Sequence, residues 1–216
     1  LDAGGEYGNL GDQTKGHKGK TLEYRKIEDL EFDPLFLRYM QLPIFEDICR
    51  RVYGDKPVAC FRAMFMNKPA HKGTQLPWHQ DAWSYLDRQP QITLWTALDA
   101  ATVANGCVQI IPGSHKLGRI NPEHGSGFLT EQQAEQHCPD DKVVYLELKQ
   151  GEVALLHNWV LHRSDVNRTD SPRRGFSVCY MDGDTQHVGQ GKGRQYTTLF
   201  GEGALTPDQL ETAPAT

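Results

Sequence analysis

The chain has 216 residues, 38% of them hydrophobic and 24% charged, with a formal net charge of -5; this supports one domain with a substantial core, spanning 1–216, and shows no second compositional regime. The acidic balance, without a lysine or arginine cluster of the kind a nucleic-acid binder carries, argues against nucleic acid as a partner. No apolar run of about 18 residues suggests a membrane span, and five cysteines scattered without a Cys-x-x-Cys pair exclude a complete disulfide framework.

In chain order, 1–21 is rich in Gly, Lys and Asp with little apolar periodicity and reads as a flexible segment or a long loop. Between Pro34 and Tyr53, Leu35, Phe36, Leu37, Met40, Phe45, Ile48 and Val52 predict two short helices broken near Pro43. Trp78-His79-Gln80-Asp81 comes next. In an extended strand residues i and i+2 share a face, so His79 and Asp81 can converge on one ion while Gln80 points away. An imidazole and a carboxylate form a borderline-to-hard pair that suits Fe(II) better than an all-thiolate zinc or copper set would.

Ile92 to Leu98 and Cys107 to Ile111 are β-rich apolar runs. Asn105-Gly106 between them supplies the positive φ of a tight reversal, so the two are expected to pair as antiparallel strands. The charged, glycine-containing stretch 116–139 reads as an insertion near the mouth of a barrel, with His115, His124 and His137 as candidate substrate contacts. Lys142 to Leu148, Gly151 to Leu156 and Gly175 to Met181 are further strand candidates. Many short strands with turn signals argue for a closed or sandwiched antiparallel β architecture.

His157 and His162 compete as a third ligand. Their odd spacing puts them on opposite faces of an extended chain, and spacing alone does not choose between them. The tail has Thr206 as a helix cap and Pro207 at the first helical position.

The stretches WHQD, ITLWTALDAATVANGCVQIIPGSH and GEVALLHNWVLHRSDVNRTDSPRRGFSVCY together resemble the phytanoyl-CoA dioxygenase family. RKIEDLEFDPLFLRYMQLPIF and FRAMFMNKPA resemble the family's segment leading into the core, so the likeness runs from Tyr24 to Met181. It implies a mainly β double-stranded β-helix, a jelly roll of cupin type with flanking helices. It also implies Fe(II), 2-oxoglutarate as cosubstrate and O2.

The same resemblance makes His79, Asp81 and His162 the metal ligands, selecting His162 over His157 because His162 begins His-x-Ser. Arg173, eleven residues on, matches the arginine that holds the distal carboxylate of 2-oxoglutarate. A planar guanidinium forks onto a carboxylate as lysine cannot. Arg174 is then the neighbour a strand turns outward, a solvated charge. Met64, Trp95, Ser164 and Lys26 match further cosubstrate contacts.

The implied reaction is hydroxylation of an unactivated C–H bond of a small molecule, acyl-CoA or lipid-derived, with release of succinate and CO2. Related halogenases put a small residue where Asp81 stands, so the carboxylate favours hydroxylation. Two other classes share the architecture: a cupin-like metal-dependent isomerase or hydrolase without 2-oxoglutarate, and a non-catalytic jelly-roll binding module. Cysteine usage and the lack of an apolar span point to a soluble protein of the cytoplasm or another reducing compartment. The chain begins at Leu1 rather than Met, which leaves room for a targeting signal upstream.

Overall fold

The computed structural model describes residues 26–71, 73, 75–125, 127–188 and 195–211; the segment 1–21, expected to be flexible or looped, lies outside them. A short strand β1 (Lys26–Ile27) precedes α1 (Pro34–Met40) and α2 (Pro43–Tyr53). Asp33 starts α1 by accepting the backbone N–H groups of Leu35 and Phe36, and Pro34 takes the first helical position, where its missing N–H costs nothing. Leu42 is extended ahead of Pro43, and this separates the two helices as the sequence predicts. Phe45, Cys49 and Tyr53, one turn apart, make the buried stripe of α2.

The remaining strands are β2 (Val58–Lys68), β3 (Leu76–His79), β4 (Ile92–Ala97), β5 (Val108–Ile110), β6 (Val144–Leu146), β7 (Val153–His157), β8 (His162–Ser164), β9 (Arg173–Asp182) and β10 (Thr197–Phe200). Helix α3 (Glu131–His137) lies between β5 and β6, and α4 (Pro207–Glu211) follows β10. The strands form two antiparallel sheets. One runs β1-β2-β9-β4-β7 with β10 also pairing β2; the other runs β3-β8-β5-β6. From β2 to β9 the chain passes repeatedly from one sheet to the other, which is the winding of a double-stranded β-helix.

This winding corrects one expectation. β4 and β5 do not pair, because β4 lies between β7 and β9, and β5 between β6 and β8. The Asn105-Gly106 turn does form: Asn105 Oδ1 accepts the Thr102 N–H, the Cys107 N–H donates to the Thr102 carbonyl, and Gly106 has φ +76°. It carries the chain between sheets instead of closing a hairpin. Gly106 is required by space as well, since a Cβ there would collide with the Asp165 carbonyl oxygen.

The larger sheet is covered on both faces, so β2, β4 and β9 read as nearly continuous apolar runs. Its outer face packs Ile92, Leu94, Phe176, Val178 and Tyr180 against Leu37, Met40, Phe45 and Cys49 of the helices. Each such large side chain contributes about 1.5–3 kcal/mol by leaving water. Two hydroxyls fix the layers: Tyr53 donates to the Tyr180 carbonyl (2.6 Å) and Tyr180 to the Met40 carbonyl (2.9 Å). Alternation then turns Thr93, Trp95, Arg173 and Ser177 to the inner face, where they line a cavity. No helix among the described residues is long and apolar enough to cross a membrane, and all five cysteines are free and buried.

Candidate metal centre

The cavity between the sheets has a volume of about 160 Å³. On one side the pairing of β3 with β8 sets His79 directly opposite His162, with ring centroids 4.0 Å apart. His79 Nδ1 lies 2.8 Å from the Pro77 carbonyl oxygen and His162 Nδ1 3.0 Å from that of Val160. A carbonyl can only accept, so each Nδ1 carries a proton, which leaves Nε2 as the nitrogen each ring turns to the cavity. His162 Nε2 is 4.0 Å from Asp81 Oδ2, and one ligand atom from each of His79, Asp81 and His162 falls within 4.8 Å of the others.

Asp81 reaches this position by a turn and not by strand alternation, because β3 ends at His79. Its N–H donates to the Asn158 carbonyl (2.8 Å), and the Ala82 N–H closes back on the Gln80 carbonyl (3.0 Å). Asn158 is itself held by Thr93 and Cys179. Gln80 is deeply buried. Its amide nitrogen donates to the carbonyls of Gly118 and Trp159, both at 2.8 Å, and its oxygen accepts the Ile120 N–H at 2.8 Å. Gln80 therefore ties the 116–139 stretch to the turn between His79 and Asp81.

Burial, reinforced by the neighbouring His162, pushes the His79 imidazole down to about 3. It is neutral at any ordinary pH, the state a metal ligand needs. Burial alone would raise the Asp81 carboxyl, but His162, Arg62 and His79 outweigh it and hold the group below its usual range. Two imidazoles and a carboxylate facing open space match the donor set of a facial triad.

Across the cavity Arg173 is only 2% exposed, its guanidinium over the Trp95 ring at 5.2 Å from the centroid. Gly175 permits this: a Cβ there would strike the Trp95 indole. Met64, Ser164 and Lys26 also line the cavity, and Lys26 is ion-paired with Glu28 at 2.6 Å. Arg174 points outward, as strand alternation predicts, but it is not simply a solvated charge. Its Nε and Nη2 fork onto the Asp99 carboxylate at 2.7 Å each.

His157 stays out of the triad. The chain turns after β7, with the Val160 N–H donating to the His157 carbonyl (2.9 Å), so strand parity does not apply between His157 and His162. The His157 ring stacks on His115 at 4.9 Å. His115, His124 and His137 do not line the cavity. Several residues that sequence reasoning missed do, among them Arg62, Trp83 and Phe128. Phe128, from within 116–139, bridges to His79 and stacks on its ring at 4.8 Å. Nothing local in the sequence marks it, whereas a lone arginine inside the apolar run of β2 was a usable signal for Arg62.

Residues 5–175 match the profile of the family described as phytanoyl-CoA dioxygenase (PhyH). The chain is 27% identical over 178 residues to a phytanoyl-CoA dioxygenase of Arabidopsis thaliana, covering 81% of this chain and 63% of that protein. It is 32% identical over 161 residues to phytanoyl-CoA dioxygenase domain-containing protein 1 of Danio rerio, covering 71% and 55%. It thus spans between about half and two thirds of the length of these relatives. Among solved structures, EctD from S. alaskensis, crystallised with 2-oxoglutarate and 5-hydroxyectoine, has a TM-score of 0.65 at 24% identity over 80% of this chain and 62% of that one; the likeness is one of fold.

Proposed function

The chain belongs to the phytanoyl-CoA dioxygenase family, and on that basis we propose that it is an Fe(II)- and 2-oxoglutarate-dependent oxygenase that hydroxylates an unactivated C–H bond of a small molecule, acyl-CoA or lipid-derived. One observation carries the reading: a single cavity holds two imidazoles and a carboxylate on one wall and a buried arginine against an indole on the other. When bound, Fe(II), 2-oxoglutarate and O2 supply an oxidant able to hydroxylate such a bond, with release of succinate and CO2.

In this reading His79, Asp81 and His162 hold the metal, with the two Nδ1–H groups spent on carbonyls so that each ring presents Nε2 to it. Arg173 binds the distal carboxylate of 2-oxoglutarate as a fork, kept rigid by Trp95. Trp95, Ser164, Met64 and Lys26 frame the same cosubstrate. Phe128 and Trp83 add aromatic surface to the same cavity. Asp81 keeps a carboxylate where a halide would otherwise bind, which supports hydroxylation.

The test is O2 uptake and succinate release from 2-oxoglutarate with added Fe(II). Both are expected in the wild type and lost in Asp81→Ala. Turnover and 2-oxoglutarate affinity that are unchanged in Arg173→Ala would instead support a cupin-like isomerase or hydrolase.

A further inference from the structure

Strand β2 carries an irregularity at the one place where a charge enters its apolar run. Cys60 pairs with Tyr180 and Arg62 with Cys179, leaving Phe61 without a counterpart on β9. The extra residue breaks the alternation and brings both Phe61 and Arg62 to the inner face, which is what bulges beside functional sites do. Phe61 packs on Trp83 with centroids 4.2 Å apart, and the Arg62 guanidinium lies over the same indole at 5.3 Å. On either side, Cys60 and Ala63 remain with the outer core.

A guanidinium turned into a cavity needs an acceptor. Arg62 Nε is shut off from solvent and has no hydrogen-bond partner among the described residues. The carboxylate it faces, Asp81, stands 3.7 Å from Nη2, too far for a hydrogen bond. Among the charged residues lining the cavity, Asp81 is the lone carboxylate against Lys26, Arg62, Arg163 and Arg173. Lys26 is paired with Glu28, and Arg163 donates to Gln109 and lies near Asp140. If Arg173 takes 2-oxoglutarate and Asp81 the metal, as proposed above, Arg62 is left facing the substrate.

We propose that Arg62 is the specificity-determining residue of this cavity and binds a carboxylate carried by the primary substrate. Trp83, backed by Phe61, supplies an apolar wall for the body of the same molecule. The inference rests on the oxygenase reading and selects, between its two substrate classes, the free lipid-derived acid over the thioester, whose carbonyl bears no charge for Arg62 to meet.

The test is calorimetric binding of hexanoate and of its neutral isostere hexanamide to protein loaded anaerobically with Fe(II) and saturating 2-oxoglutarate, which keeps Arg173 occupied. Wild type is expected to bind the acid about tenfold or more tighter than the amide, as loss of a charge-assisted bond implies. In Arg62→Gln that preference disappears while 2-oxoglutarate affinity stays unchanged, and Arg62→Lys restores part of it. Equal binding of acid and amide by the wild type, or binding of neither, overturns the proposal without recourse to any variant. So does an Arg62→Gln protein that loses Fe(II) affinity, because Arg62 would then serve Asp81. Failure of the oxygenase reading shows separately, as wild-type protein that does not bind 2-oxoglutarate.

Discussion

His79 and His162 face each other as cross-strand partners of β3 and β8, each ring anchored through Nδ1 to the carbonyl two residues before it. Two distant segments thereby bring their imidazoles to one point. Replacing His162 by alanine is expected to weaken Fe(II) binding by more than the roughly 10–100-fold typical of losing an outer hydrogen-bond partner. His157→Ala, which removes the ring stacked on His115, leaves it unchanged. Anaerobic Fe(II) titration calorimetry on the two variants separates the competing histidines.

Arg173 and Arg174 provide the matching contrast on the other wall. Arg173→Lys keeps the charge but not the fork, and 2-oxoglutarate affinity is expected to fall about tenfold or more. Arg174→Ala breaks the outward pair with Asp99. That half-exposed pair is worth about 0–1 kcal/mol, so a small drop in melting temperature with unchanged 2-oxoglutarate affinity is expected. Equal effects of the two substitutions on affinity would contradict the assignment.

Gln80→Ala removes three hydrogen bonds to Gly118, Trp159 and Ile120 and strands buried backbone groups. The expected cost is about 1–3 kcal/mol for such unsatisfied groups, read as a lower denaturation midpoint. Hydrogen exchange at Gly118 and Ile120 will rise with it, since this side chain ties that part of the stretch down while the Gly127 and Leu129 backbone bonds hold the rest.

The buried imidazole sets a pH dependence for the metal-free protein. His79 lies near 3 in the fold against an ordinary 6.5. Between those values the unfolded chain binds a proton that the folded chain does not, so stability is full above the ordinary value and falls as pH drops toward the folded one. Asp81, held below its ordinary 3.8, adds a stabilising contribution that is full above that value and is lost as pH falls through the folded pKa. Melting temperatures recorded from about pH 8 down to about pH 4 will decline below about 6.5, less steeply in His79→Gln; identical slopes would contradict a neutral buried His79.

The helix break at Pro43, the core positions of the β runs and the outward turn of Arg174 were legible because each depends on local chemistry or on strand parity. Pairing was not. Asn105-Gly106 specifies a turn but not the sheet its two flanks join, so a hairpin was expected where the chain crosses between sheets. Parity also misled where the chain leaves the strand: Asp81 converges on His79 through a turn, and Arg62 points inward only because of an extra residue in β2. Phe128 reaches His79 through tertiary packing of the 116–139 stretch, which no local pattern encodes.

The central claim is that one cavity binds Fe(II) and 2-oxoglutarate together. Anaerobic titration of 2-oxoglutarate into the Fe(II)-loaded protein, followed by metal-to-ligand charge-transfer absorption, tests it directly. A saturable band in the wild type, absent in His162→Ala and requiring more 2-oxoglutarate in Arg173→Lys, is the predicted result; tightly bound iron with no such band at any 2-oxoglutarate concentration would contradict it.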